Sequence, residues 1–406
     1  MNIKTLRLGL QKWFGRMKWA GLQKYLRRLK WRHWVLIVLL LLITLTKMIP
    51  TWSIIYSFFV YPLIGMALSH LSGWIPFAVG DLFIALSIAW VILYPIYKKG
   101  HLGRVAEYLL WVYAWFYLAW GLNYSQPNIF YRLRMMPAQV SKQTLKNFAD
   151  RYVDSLNYLS EESRVASKLF ACLREQKSSD SLGVLSVSQD LKDRTSKMVL
   201  QGYLNLTKKP GVMGISTPFN EHPHAKTMMF TPLSSMAGVT GSMGPFFCEF
   251  TLNGDVLPQD YPATYAHEFA HFLGVTNEGE ANFYSYLVCT SSPDKAVRFS
   301  GYYHLLFHVI ANVDRILGEE EGNALIKRIN PKVLAMAIKE RKYWQAKRCK
   351  ALDTAQDFIF DLYLKGNNVK EGRKSYSGVM MLILSWEEKK NKEQRIQQLQ
   401  WRKPNY

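Results

Sequence analysis

The chain has 406 residues, 49% of them hydrophobic and 20% charged, with a formal net charge of +21. That length leaves room for two or three compact units. The positive excess argues against a nucleic-acid face, because residues 1–33 hold ten Lys and Arg and no acid and run straight into apolar, aromatic-rich segments, the pattern of a membrane-topology signal.

Trp34–Ile49 is apolar apart from two threonines and Lys47. It is short for a span of about 20 residues, but Lys47 can snorkel and Trp34 and Trp52 suit the interfaces. The long basic flank, and the lack of small residues at Met48–Trp52, favour an anchor over a cleaved signal peptide. Ser53–Leu71 is apolar but interrupted by Pro62, Gly65 and His70. Trp74–Tyr97 and Val105–Tyr124 read as further spans. The N-terminal run and the basic loop Lys98–Arg104 both belong on the cytoplasmic side, so an even number of crossings separates them. The expectation is a cytoplasmic 1–33 and a membrane region 34–124 with crossings at 34–49, 74–97 and 105–124. Segment 53–71 then lies along the outer face or re-enters, and 125–406 forms an exoplasmic domain of a multi-pass cell-membrane protein.

From Ser125 the composition is that of a soluble domain. Helical patterning covers Leu145–Glu175, Asp190–Leu206, Phe299–Leu317, Glu319–Glu340, Ala355–Leu364 and Ser375–Gln400. Lys208–Gly244, rich in Gly, Pro and Ser, reads as irregular, and its His222 and His224 as loop surface rather than ligands. Phe246–Leu252 alternates as a strand, either an edge open to an extended peptide or an interior one. Cys172, Cys248, Cys289 and Cys349 form no CxxC pair, so a zinc ribbon is unsupported; buried free thiols are expected, with one or two disulfides as the alternative.

The chemistry concentrates in Asp260–Gly274. Asp260 suits an N-cap, Pro262 a first turn and Gly274 a helix stop. On such a helix His267 and His271 stand one turn apart on one face and can share a Zn²⁺. Glu268 is displaced by about 100° around the axis, beside the metal, as a general base acting on a metal-activated water requires. Beyond the Gly274 turn, Asn277 can cap a second helix, with Glu280 completing a capping box. That leaves Glu278 as the third ligand, with Glu280 as the alternative. Asn282, four residues after Glu278 on the same face, can orient a ligand histidine. Tyr302, Tyr303 and His304 are candidates for an oxyanion-stabilising donor, although core packing explains any one of them. The polar stretch Leu252–Tyr261 and the short apolar run around His267 favour a site in a soluble domain over one inside the bilayer.

Ala266-His-Glu-Phe-Ala-His271 with Gly274, Glu278-Gly-Glu-Ala-Asn-Phe283 and Tyr286-Leu-Val-Cys289 resembles the bacterial family catalogued as domain of unknown function 3810. Trp120-Gly-Leu-Asn-Tyr124, Ser300-Gly-Tyr302, Phe360–Lys365 and Lys374-Ser-Tyr376 fit as well, so the likeness runs from about Tyr56 to Trp386. It implies a membrane-anchored zinc metallopeptidase of gluzincin-like type. Glu278-x-x-Ala-Asn282 is also similar to the Glu-x-x-Ala-Asp of membrane metallopeptidases that cleave prenylated or misfolded proteins, with Asn282 in place of the usual aspartate. The expected fold is mainly α (α+β), with transmembrane helices followed by a mostly helical zincin-like domain. The expected function is peptide hydrolysis with Zn²⁺, a peptide or protein substrate and a lipid membrane as partners, and no nucleic acid. A non-catalytic zinc-binding sensor or scaffold, or a peptidase-like signal transducer, is the alternative.

Overall fold

The computed structural model describes residues 30–98, 101–162, 186–208, 213–221, 223, 225–352, 354 and 378–401. Among the described residues four N-terminal helices come first: α1 (Trp31–Met48), α2 (Pro50–Gly73), α3 (Val79–Tyr97) and α4 (Leu102–Ala119). Among the described residues α1, α2 and α3 are long and apolar enough to cross a membrane. α4 matches α1 in length but carries Arg104, Glu107 and many Trp and Tyr, and is not in that set. Within α2, Pro62 has no N–H to return to the preceding turn, and the helix widens just before it. The Tyr61 N–H reaches back five residues to Tyr56 O in a π-helical turn, Tyr56–Val60.

Contacts fix the helix directions. The Arg32 guanidinium meets Glu107 at 2.8 Å at one end of the α1–α4 pair, and Lys47 Nζ donates to the Tyr117 hydroxyl at 3.2 Å at the other. α1 and α4 are therefore parallel, with their C-terminal ends at the domain. α3, whose Ser87 bonds Tyr108 at 2.6 Å, starts at the domain and runs away from it. The segment expected to lie along the outer face, 53–71, sits within α2, which satisfies the length and apolarity of a span yet begins and ends on the domain side. It starts directly after α1. At its far end, the Ser72 carbonyl accepts from Lys226 Nζ at 2.8 Å. Lys226 also pairs with Glu249, whose carboxylate accepts the Gly80 N–H in the first turn of α3.

The domain then adds α5 (Lys142–Glu162), α6 (Gln189–Leu206), β1 (Lys226–Thr227), α7 (Thr231–Met236), β2 (Gly241–Gly244) and β3 (Glu249–Leu252). It continues with α8 (Tyr261–Phe272), α9 (Glu278–Thr290), α10 (Lys295–Leu317), α11 (Glu319–Arg328), α12 (Pro331–Lys347) and α13 (Val379–Trp401). The mainly helical expectation holds. The single helix expected over Glu319–Glu340 is two, because Pro331 starts a new one that Asn330 caps by accepting the Lys332 N–H at 3.0 Å. Lys208–Gly244 is not wholly irregular, since it supplies β1, α7 and β2. The sheet order is β1-β3-β2, with β1 parallel and β2 antiparallel to β3. The strand expected over Phe246–Leu252 is thus the interior one, and it begins only at Glu249 because Phe246 and Phe247 lie in the turn before it.

The core wraps the motif helix. Phe250 on β3 packs edge-on against Tyr265 at 5.1 Å, and Phe269, Phe272, Phe283 and Phe299 are fully buried around it. Each such ring contributes about 1.5–3 kcal/mol of burial. Cys248 and Cys289 are buried free thiols, each pushed up to about 12 by desolvation, and Cys349 is free and half-buried. Cys172, His222 and His224 lie outside the described residues, as do residues 355–364 of the expected helix.

Candidate metal centre

α8 is held at both ends before its side chains meet anything else. Ser300 Oγ accepts the Ala263 N–H at 3.0 Å, Tyr203 donates to Ala266 O at 2.8 Å, Trp120 Nε1–H to His271 O at 3.0 Å and the Tyr61 hydroxyl to Phe272 O at 2.6 Å. The last two donors come from the N-terminal helices, so the C-terminal end of the motif helix docks directly on that layer. Gly274 turns the chain at φ +92°, a left-handed conformation that suits glycine. A Cβ there would also lie 3.1 Å from the Asn123 amide. The turn brings α9 back across α8.

His267, His271 and Glu278 then converge. His267 Nε2 lies 3.0 Å from Glu278 Oε2 and 3.1 Å from His271 Nε2, and His271 Nε2 lies 3.5 Å from Glu278 Oε2. A tetrahedral Zn²⁺ bound at about 2.0–2.1 Å needs donors about 3.3 Å apart, so the triangle is the right size. The tautomers also fit. The His271 Nδ1–H donates to Val275 O at 2.6 Å and the His267 Nδ1–H to Asn282 Oδ1 at 2.8 Å, which turns both Nε2 atoms toward Glu278.

The electrostatics favour a cation. Burial opposes protonation of His271, yet the Glu278 carboxylate raises it to about 9. Burial alone would raise the Glu278 carboxyl, but His271 and His267 hold it well below the usual carboxylate range. Glu268 moves the other way: desolvation raises it, and the neighbouring histidines only partly offset this. Its Oε2 is buried with no hydrogen-bond partner, an orphaned acceptor in the cavity that the three donors line.

Glu280 does not join the cluster. Asn277 accepts its N–H at 3.1 Å as the expected cap, but the Glu280 side chain forms a buried ion pair with Arg132 instead of closing the capping box. Of the three oxyanion candidates only His304 lines the metal cavity; Tyr303 donates to Glu340 at 2.7 Å and Tyr302 packs against Tyr152 and Tyr286. His304 Nε2–H reaches Asn282 Oδ1 at 3.3 Å, and desolvation first, then His267, pushes His304 down to about 3, so it is neutral. His308, one turn on, lines the same cavity. Sequence reasoning missed His308, which the spacing His304-x-x-x-His308 could have found. Nothing in the sequence pointed to Gly241, where a Cβ would overlap the Glu268 carboxylate.

The cavity measures about 660 Å³, and its lining includes Phe116 and Trp120 from the end of α4 and Met243, Pro245 and Phe246. A larger apolar cleft of about 1120 Å³, between α2 and Arg134–Pro137, lies away from the cluster.

The family model described as protein of unknown function DUF3810 matches residues 56–384, most of the chain, from the middle of α2 into α13. The chain belongs to that family. α3, α4 and the His267–Asn282 cluster all fall within the family region, whereas α1 precedes it. No curated protein and no solved structure matches the chain.

Proposed function

We propose that this DUF3810 protein is a membrane-anchored zinc metallopeptidase, with the metal held by His267, His271 and Glu278. One observation carries the reading. Three ligand atoms 3.0–3.5 Å apart share a cavity with a buried, unpartnered carboxylate oxygen of Glu268. A purely structural site has no use for that fourth group. Zn²⁺ bound there supplies Lewis acidity, making a water nucleophilic near neutral pH and polarising a scissile carbonyl. Glu268 Oε2 accepts the proton of the attacking water and returns it to the leaving amine, a role suited to a carboxyl whose proton affinity burial has raised. β2 is the outer strand of the sheet beside this carboxylate, so an extended substrate adding to it passes the site. The basic residues 1–33 support a reading with the N-terminus in the cytoplasm and the domain on the exoplasmic side, in which α1, α3 and the less apolar α4 cross.

The test compares wild type with Glu268→Gln on a diverse peptide library, with zinc measured in both. The expected outcome is cleavage by wild type only, with equal zinc. Zinc in both proteins and cleavage by neither makes the metal centre a sensor or scaffold instead.

A further inference from the structure

A second apolar surface lies on the domain, apart from the N-terminal helices. Met229, Phe230, Leu233 and Met236, in and just before α7, are 38%, 44%, 54% and 37% exposed. Single exposed apolar residues are ordinary, but four in eight positions on one short segment are not. Their position is pinned to the start of a candidate span. The Met229 N–H donates to Asp81 in the first turn of α3 at 2.9 Å, and Lys226 Nζ, three residues earlier, donates to Phe77 O at 3.1 Å. Phe77, on the same connection, is 44% exposed, so the apolar surface is continuous with the start of α3.

The β2–β3 turn also packs on α3. Phe246 and Phe247 pack on Phe83, one turn inside α3, with ring centroids 4.9 and 5.6 Å away, and the Trp115 indole donates to Phe246 O at 3.0 Å. Between these two features the chain runs through Ala237–Met243, which lines the metal cavity.

We infer that Met229–Met236 seats in the lipid bilayer beside the N-terminus of α3, so that the metal cavity opens at the bilayer surface. The occupant is lipid, because the surface is apolar and is tied to the start of a candidate span by the Asp81 carboxylate and the Lys226 ammonium. It follows, resting here on the peptidase reading, that the substrate class is a polypeptide itself anchored in the membrane and cut in the stretch that emerges from it.

The experiment uses the full chain in nanodiscs of phosphatidylethanolamine and phosphatidylglycerol. Leu233→Cys, in a background with Cys172 and Cys349 changed to Ser, carries an environment-sensitive NBD label, and nitroxide-labelled lipid is the quencher. Ser291→Cys is the control. It follows α9 at the end of the domain where Cys289 meets Pro262, opposite the Tyr61–Phe272 bond. A blue-shifted Leu233 label, quenched severalfold more than Ser291, is expected. Equal emission and quenching overturn the inference. In the same discs, one random peptide library is presented fused to a transmembrane anchor and another free in solution. Preferential cleavage of the anchored library, lost in Glu268→Gln, supports the substrate class. Equal cleavage of both overturns the class, and cleavage of neither with the label still buried removes the peptidase reading and leaves the bilayer seat standing.

Discussion

The Nδ1–H of His267 donates to Asn282 Oδ1 at 2.8 Å, and that one bond sets which ring nitrogen of His267 faces Glu278. An amide oxygen accepts as an aspartate would, without adding a second buried charge beside Glu278. Asn282→Ala is expected to lower zinc affinity about 10–100-fold, measured by competition with a chromophoric chelator, with the helical circular dichroism unchanged. Asn282→Asp keeps the acceptor and is expected to stay close to wild type. Equal affinity in the Ala variant refutes the orienting role.

The two glutamates at the start of α9 have separable jobs. Glu278 faces the histidines, and Glu280 neutralises Arg132, with side chains only 10% and 6% exposed. Glu278→Ala is expected to abolish stoichiometric zinc binding. Glu280→Ala strands a buried guanidinium and is expected to cost about 3–5 kcal/mol in stability while zinc remains bound in the folded fraction. Denaturant titration and metal analysis of both variants check the assignment, and zinc loss in Glu280→Ala alone would reverse it.

Gly241 is a steric requirement of the site. A methyl group there overlaps the Glu268 carboxylate, so either β2 or the base must shift. Gly241→Ala is expected to leave zinc content intact and to reduce turnover about 10²-fold, the scale of a 1 Å misplacement of a catalytic group. Unchanged turnover means that Glu268 has room the geometry denies it.

The motif helix was legible because its signals are local: His spacing, a proline in the first turn and a glycine at the stop all act within one or two turns. The approach of Glu278 to the two histidines was legible for the same reason, since the Asn277 cap fixes where α9 begins. β2 was not, because Gly241-Ser-Met-Gly244 has no strand propensity of its own and is a strand only through its pairing with β3. Pro331 was an available signal that the periodicity over Glu319–Glu340 obscured. The placement of α2 depends on where its two ends dock, which hydropathy does not encode. Asp260 was expected to cap α8, yet its side chain makes no capping bond and is buried beside Glu340.

That placement makes Asp260 a pH-sensitive weak point. Desolvation first, and then the Glu340 carboxylate, raise its carboxyl well above the usual range. The raised folded value means the fold binds this proton more tightly than the unfolded chain, so the contribution to stability is complete below about pH 4 and declines as pH rises through the folded value. Asp260→Asn is expected to be more stable than wild type at neutral pH, with the difference vanishing near pH 4. Thermal melts across pH 4–9 read it directly, and a constant offset would show that the Asp260 carboxyl binds its proton equally in the folded and unfolded chain.

The disposition of α2 gives the sharpest prediction about the membrane. α2 has the length and apolarity of a span, but its first residue follows the domain end of α1 and its Ser72 carbonyl bonds Lys226 in the domain. With both ends docked on the domain, α2 is expected not to cross. Cysteines at Trp52 and Trp74, which are 40% and 89% exposed, are therefore expected to react with a membrane-impermeant maleimide from the same face of intact cells. A cysteine at Tyr97, at the far end of α3 and 80% exposed, is expected to react only after permeabilisation. With the native Cys172 and Cys349 changed to Ser, labelling is read at the introduced thiol, because Cys248 and Cys289 are buried. Opposite labelling of Trp52 and Trp74 would make α2 a crossing and invert the charge rule that places the basic N-terminus and the Lys98–Arg104 loop on one side.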